Sequence, residues 1–170
     1  MIQEQRDNLK SLLVCLLAMA LLIIGSTIAN SQESSICRIW VSAGSGVRNG
    51  GTGTLVDVRH DDDGKSGFVL TCNHIFDGHD GGISVEFPGG KTHAARLLGT
   101  DETNDLAALE IANPAVPALS IGVFDPRDTF RFGGFGTTGR LRLVTGRVES
   151  TNWTKNVSFR GGVRSGDSGG

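Results

Sequence analysis

Three short segments carry side chains that could perform acyl transfer together. Gly67-Phe68-Val69-Leu70-Thr71-Cys72-Asn73-His74 is an apolar, strand-like run ending in a histidine. Asn104-Asp105-Leu106-Ala107-Ala108-Leu109 sets an acid directly before an apolar strand, and Ser165-Gly166-Asp167-Ser168-Gly169-Gly170 holds a serine in a glycine-rich turn. A hydroxyl attacks a carbonyl only when a base takes its proton, and a carboxylate orients that base and stabilises its charged form. Backbone N–H groups must also face the developing oxyanion, and glycines let the chain turn tightly enough to present them. Each segment alone has a plainer reading: a surface histidine, a turn or cap aspartate, an ordinary loop. The set in the order His74, Asp105, Ser168 favours the chemical one.

The elements that must position these residues are strands. Of 170 residues 25 are Gly, about twice ordinary usage, with 4 Pro and no Tyr, which points to many tight turns. Hydrophobic content of 38% and charged content of 20% describe a globular chain rather than a disordered or coiled-coil one. Period-two or short apolar runs broken by Gly and Asp clusters predict strands at Cys37–Ala43, Gly53–Arg59, Gly67–Cys72, Ile83–Phe87, His93–Leu98 and Leu106–Ile111. Six short antiparallel strands at this spacing suit a closed barrel, because closure removes unpaired edges. Asn113–Pro117 is a connector, followed by further strands at Thr129–Phe132, Leu141–Ser150 and Val157–Arg160. The class is all-β, divided into residues 31–117 and 118–170.

Residues 1–30 stand apart. Leu12–Ile24 is uncharged, follows Arg6 and Lys10, and precedes Gly25, Ser26 and Thr27, the pattern of a secretory signal. Extended over residues 11–29, the apolar stretch is also just long enough for an uncleaved membrane anchor. Either reading gives an N-terminal hydrophobic helix and an extracytoplasmic chain. Cys37 and Cys72 could pair in an oxidising compartment or remain buried thiols, and spacing does not choose.

No cofactor is expected. A metal site is not expected either: there is no zinc-ligand spacing, and His60 with Asp61–Asp63, or His79 with Asp80, read as solvated hairpin turns. The formal charge of −2, from 16 basic and 18 acidic residues, supplies no global field for nucleic acid. The sequons at Asn152 and Asn156 matter only in a glycosylating host.

Taken together, the segments resemble the chymotrypsin-like serine peptidases, and most closely their compact HtrA-like branch. Gly51-Thr52-Gly53-Thr54-Leu55-Val56 resembles a strand of the first barrel, Val69 through His74 the base segment, and Asp101 through Leu109 the acidic segment. Phe132-Gly133-Gly134-Phe135-Gly136 and Val144-Thr145-Gly146-Arg147-Val148 resemble the start of a second barrel, and Gly166-Asp167-Ser168-Gly169-Gly170 the nucleophile turn. The likeness covers about residues 36–170.

The resemblance implies a double β-barrel with polypeptide as substrate. Ser168 would be the nucleophile, His74 the base and Asp105 its orienting acid, with Asp101 a turn residue. The N–H groups of Gly166 and Ser168 would form the oxyanion hole. Gly162 stands where relatives place a selecting side chain, which implies small or apolar preferences. The hydrophobic-Gly-Gly activation sequence is absent near Ile36, so Arg164 or another arginine is expected to pair with Asp167 without a zymogen step. The serine lies two residues from the last residue of this sequence. A complete first barrel, a partial second barrel, a frayed serine turn and impaired activity are therefore expected. The rival expectation is a non-catalytic extracytoplasmic binding module on the same scaffold.

Overall fold

The computed structural model describes residues 33–42, 48–62, 64–79, 81–123, 125, 127–152 and 156–170. The expected N-terminal hydrophobic helix, and any anchoring through residues 11–29, lie outside them. Among the described residues no helix is long and apolar enough to cross a membrane.

Alternating apolar residues build six strands: β1 (Ile36–Ser42), β2 (Arg48–Asp61), β3 (Gly64–Thr71), β4 (Ile83–Glu86), β5 (Thr92–Asp101) and β6 (Leu106–Ala112). Side chains alternate between faces along a strand, so Cys37, Ile39 and Val41 of β1 and Ala107, Leu109 and Ile111 of β6 all turn inward. The strands close in the order β1-β2-β3-β6-β5-β4, every neighbouring pair antiparallel. Leu55, Val69, Val85 and Phe87 complete the core. Three more strands, β7 (Thr129–Gly134), β8 (Arg142–Asn152) and β9 (Asn156–Arg160), form an antiparallel sheet in that order.

All nine strand positions expected from the sequence hold strands, but several run further than the apolar pattern predicts, and two of these extensions bear on the site. β2 begins at Arg48, because Gly50 and Gly51 pair with Trp40 and Ile39 without adding apolar alternation. β5 continues to Asp101, where Gly99, Thr100 and Asp101 pair with Ala108, Ala107 and Leu106. That extension carries the chain out to the turn holding Asp105.

Both described cysteines are free thiols inside the barrel, so the alternative of buried thiols holds and no Cys37–Cys72 disulfide forms. Burial pushes the Cys37 thiol up to about 12. The Cys72 thiol is also raised, first by burial and then by the Asp105 charge. An alkylating reagent at pH 8 should therefore label neither thiol in the native state and both after denaturation, as mass spectrometry would show. Leu109 is fully buried, and Leu109→Ala should cost about 2–5 kcal/mol in denaturant unfolding, the usual toll of a cavity.

Candidate active site

The register between β3 and β6 decides which loops meet. Thr71 pairs with Ala107, and continuing that ladder past both strand ends brings Asn73 opposite Asp105. The Asn73 amide donates to the Asp105 carbonyl at 3.2 Å. Asp105 has a φ of 53°, a left-handed conformation that aspartate tolerates better than most residues. That backbone turns its carboxylate back onto the histidine. One oxygen accepts the His74 backbone N–H at 2.9 Å and the other meets His74 Nδ1 at 2.8 Å.

The histidine hydrogen bond is the largest cause holding the Asp105 carboxyl below its ordinary range. An ionised carboxylate can only accept, so Nδ1 is the donor in this contact, which leaves Nε2 as the ring nitrogen directed away from Asp105. Both side chains are half exposed. Cys72 Sγ lies 3.6 Å from Nε2. Asp101 takes no part: its carboxylate accepts the Asn104 backbone N–H and side-chain amide at 3.1 and 2.6 Å.

The serine turn docks on the barrel beside these residues. The Thr52 N–H donates to the Ser168 carbonyl at 2.7 Å, and the Thr52 hydroxyl to the Gly166 carbonyl at 2.9 Å. Gly166 and Gly169 have φ values of 88° and 86°. A Cβ on Gly169 would sit 2.9 Å from the Cys72 amide nitrogen, and one on Gly166 would sit 2.8 Å from the Gly136 carbonyl. The turn thus lies against the chain that leads into His74. Among the described residues, no hydrogen bond joins Ser168 Oγ to His74, and the N–H groups of Gly166 and Ser168 carry no partner. Gly162 is exposed, and its carbonyl accepts at 3.0 Å from Arg142, the same side chain that pairs with Asp167.

Asp167 anchors the turn from below. Its side chain is 2% exposed and paired with Arg142, and it accepts the Arg164 backbone N–H at 2.8 Å. The partner supplied from a side chain is thus Arg142, while Arg164 contributes only its amide. The turn makes contacts at both Asp167 and Ser168. Thr52 and Arg142 were not singled out as site residues by the sequence: Thr52 sits in a segment marked only as a strand, and nothing local ties Arg142 to a residue 25 positions away.

Two outcomes follow from these contacts. Arg142→Met leaves a buried carboxylate uncompensated, so denaturant unfolding should show a loss of about 3–5 kcal/mol, with partial recovery in Arg142→Lys. The folded value of Asp105 lies below the unfolded one, so its contact with His74 contributes stability that is complete above about pH 4. That contribution is lost as acid takes the pH down through the lowered value, and Asp105→Asn should flatten this part of a stability–pH curve.

A family model described as a trypsin-like peptidase domain matches residues 51–170. A probable periplasmic serine protease do/HhoA-like from Haemophilus influenzae is 33% identical over 85 residues, covering 50% of this chain and 16% of the relative. A probable periplasmic serine endoprotease DegP-like from Marinomonas is 32% identical over 114 residues, or 61% of this chain and 24% of the relative. The chain thus spans about a quarter or less of these curated relatives. Among solved structures, the serine endoprotease from Yersinia pestis shares the fold with a TM-score of 0.67 at 20% identity, covering 82% of this chain and 49% of that one. The chain belongs to the trypsin-like peptidase family, and within it is similar to the HtrA-type serine peptidases.

Proposed function

We propose that the chain is a serine endopeptidase that hydrolyses polypeptides through an acyl-enzyme, with Ser168 as nucleophile, His74 as base and then acid, and Asp105 as the group that orients and stabilises His74. The observation that carries this reading is the two-oxygen grip of Asp105 on the His74 backbone and Nδ1, which leaves Nε2 as the ring atom able to take a proton. The Ser168 hydroxyl loses its proton to Nε2 as its oxygen bonds to the scissile carbonyl carbon. The carbonyl oxygen gains charge and accepts the N–H groups of Gly166 and Ser168, both without partners among the described residues. His74 returns the proton to the departing amine, and water then repeats the sequence to release the acid. Gly162 contributes no charge to substrate selection, which favours small or apolar side chains.

The sheet β7–β9 is read as part of a second barrel. Impairment of the chain is supported by its resting geometry, in which the Cys72 thiol lies 3.6 Å from Nε2, the atom that must take the serine proton. An extracytoplasmic location, with residues 11–29 as signal or anchor, is supported by the charged-then-apolar leader and by the word periplasmic in the relatives' descriptions.

A fluorophosphonate should label Ser168 and nothing else, by peptide mapping. Ser168→Ala and His74→Ala should abolish labelling, and Asp105→Asn should slow it by up to about 10⁴-fold. Cys72→Ala should speed it. A chain that folds but never reacts would be the non-catalytic binding module instead.

A further inference from the structure

A second feature adjoins the serine turn and takes no part in the steps above. Arg38 and Trp40 project from β1 on one face, two residues apart, and the Arg38 guanidinium stacks 3.9 Å from the centre of the Trp40 ring. Its far side lies against the turn after β7, where a Cβ on Gly139 would sit 2.6 Å from an Arg38 terminal nitrogen. Between them is a cavity of about 250 Å³ whose other walls include Gly50, Gly136, Ser165 and Gly166. That volume falls below the roughly 300–1,000 Å³ of sites for whole small molecules and suits one side chain or a chain end.

Among the described residues the charge in this cavity has no counter-ion. Arg96 and Arg142 end on the carboxylates of Glu110 and Asp167. Arg38 has Glu86 opposite it in the β1/β4 register, yet among the described residues no ion pair joins Arg38 to any acid. A planar, cationic fork lying on an aromatic face matches a carboxylate, which it can hold through two parallel hydrogen bonds. The shared wall at Gly166, whose N–H is the proposed oxyanion donor, sets this cavity beside the scissile bond.

We propose that the Arg38–Trp40 cavity is a substrate subsite selecting a carboxylate next to the scissile bond, supplied either by an acidic side chain or by the free end of a peptide. The proposal rests on the endopeptidase reading for its substrate and on the cavity alone for its chemistry. Arg38 sets specificity, and Trp40 supplies the apolar face that keeps the guanidinium in place.

The test uses quenched fluorescent peptides in matched pairs, Glu against Gln and free acid against amide at the residues flanking the cleaved bond. The wild-type chain should favour one carboxylate-bearing member by about tenfold in kcat/KM, the scale of one charge-assisted hydrogen bond. The pair that shows the preference identifies the source of the carboxylate. In Arg38→Gln the ratio should fall to about one, and Arg38→Lys should keep part of it, with thermal unfolding as the check on folding. Equal ratios in wild type and Arg38→Gln would overturn the proposal. Binding is read separately from Trp40 emission in a Trp153→Phe background, titrated with the same uncleaved peptides. Carboxylate-dependent binding lost in Arg38→Gln, with no hydrolysis of any peptide, would sink the endopeptidase reading and leave the subsite standing. Binding indifferent to the carboxylate would sink the subsite whatever the hydrolysis shows.

Discussion

The antiparallel register of β3 against β6 is the constraint from which the candidate site follows. With Thr71 fixed opposite Ala107, the loops beyond the two strands have no choice but to meet at Asn73 and Asp105. A slip of one residue would turn Leu109 and Ile111 out of the core and Ala108 and Glu110 into it, so the hydrophobic pattern enforces the register. The core therefore specifies the contact between His74 and Asp105, although neither residue is part of it. Both sit half exposed at the barrel rim, where a bound chain would exclude water and strengthen every charge interaction around them.

The serine turn is positioned by a different kind of contact. Thr52 is fully buried and binds in several directions: its amide to Ser168, its hydroxyl to Gly166, and its carbonyl to the Thr71 hydroxyl at 2.7 Å. The Thr52 hydroxyl also accepts the Phe135 amide at 3.2 Å. One threonine thus links β2, β3, the segment after β7 and the serine turn. The Arg142–Asp167 pair closes the underside from β8. Such a buried pair gives geometry more than net stability, because the cost of desolvating both charges offsets much of their attraction.

The barrel was legible in the sequence because its strands alternate cleanly and are bounded by Gly and Asp, as Cys37, Ile39 and Val41 illustrate. The extra reach of β2 and β5 was not, since Gly50, Gly51 and Gly99 enter the ladder without any apolar signal. His74, Asp105 and Ser168 stood out by residue type and local setting. Thr52 and Arg142 did not, because their roles depend on partners far along the chain that only the fold brings near. The thiol beside Nε2 was equally hidden: Cys72 could be marked as apolar and strand-bound, but its neighbour across the turn into His74 depends on side-chain geometry. The sequence could not choose between a disulfide and free thiols, and inside the barrel both remain free.

A crystal structure of the chain after reaction with a fluorophosphonate tests the convergence of the three side chains most directly. The account predicts phosphorus bonded to Ser168 Oγ, one phosphonyl oxygen accepting the N–H groups of Gly166 and Ser168, and His74 Nε2 turned from Cys72 toward the modified oxygen. An adduct whose oxygens point away from those two N–H groups, with the His74 ring still against Cys72, would contradict it.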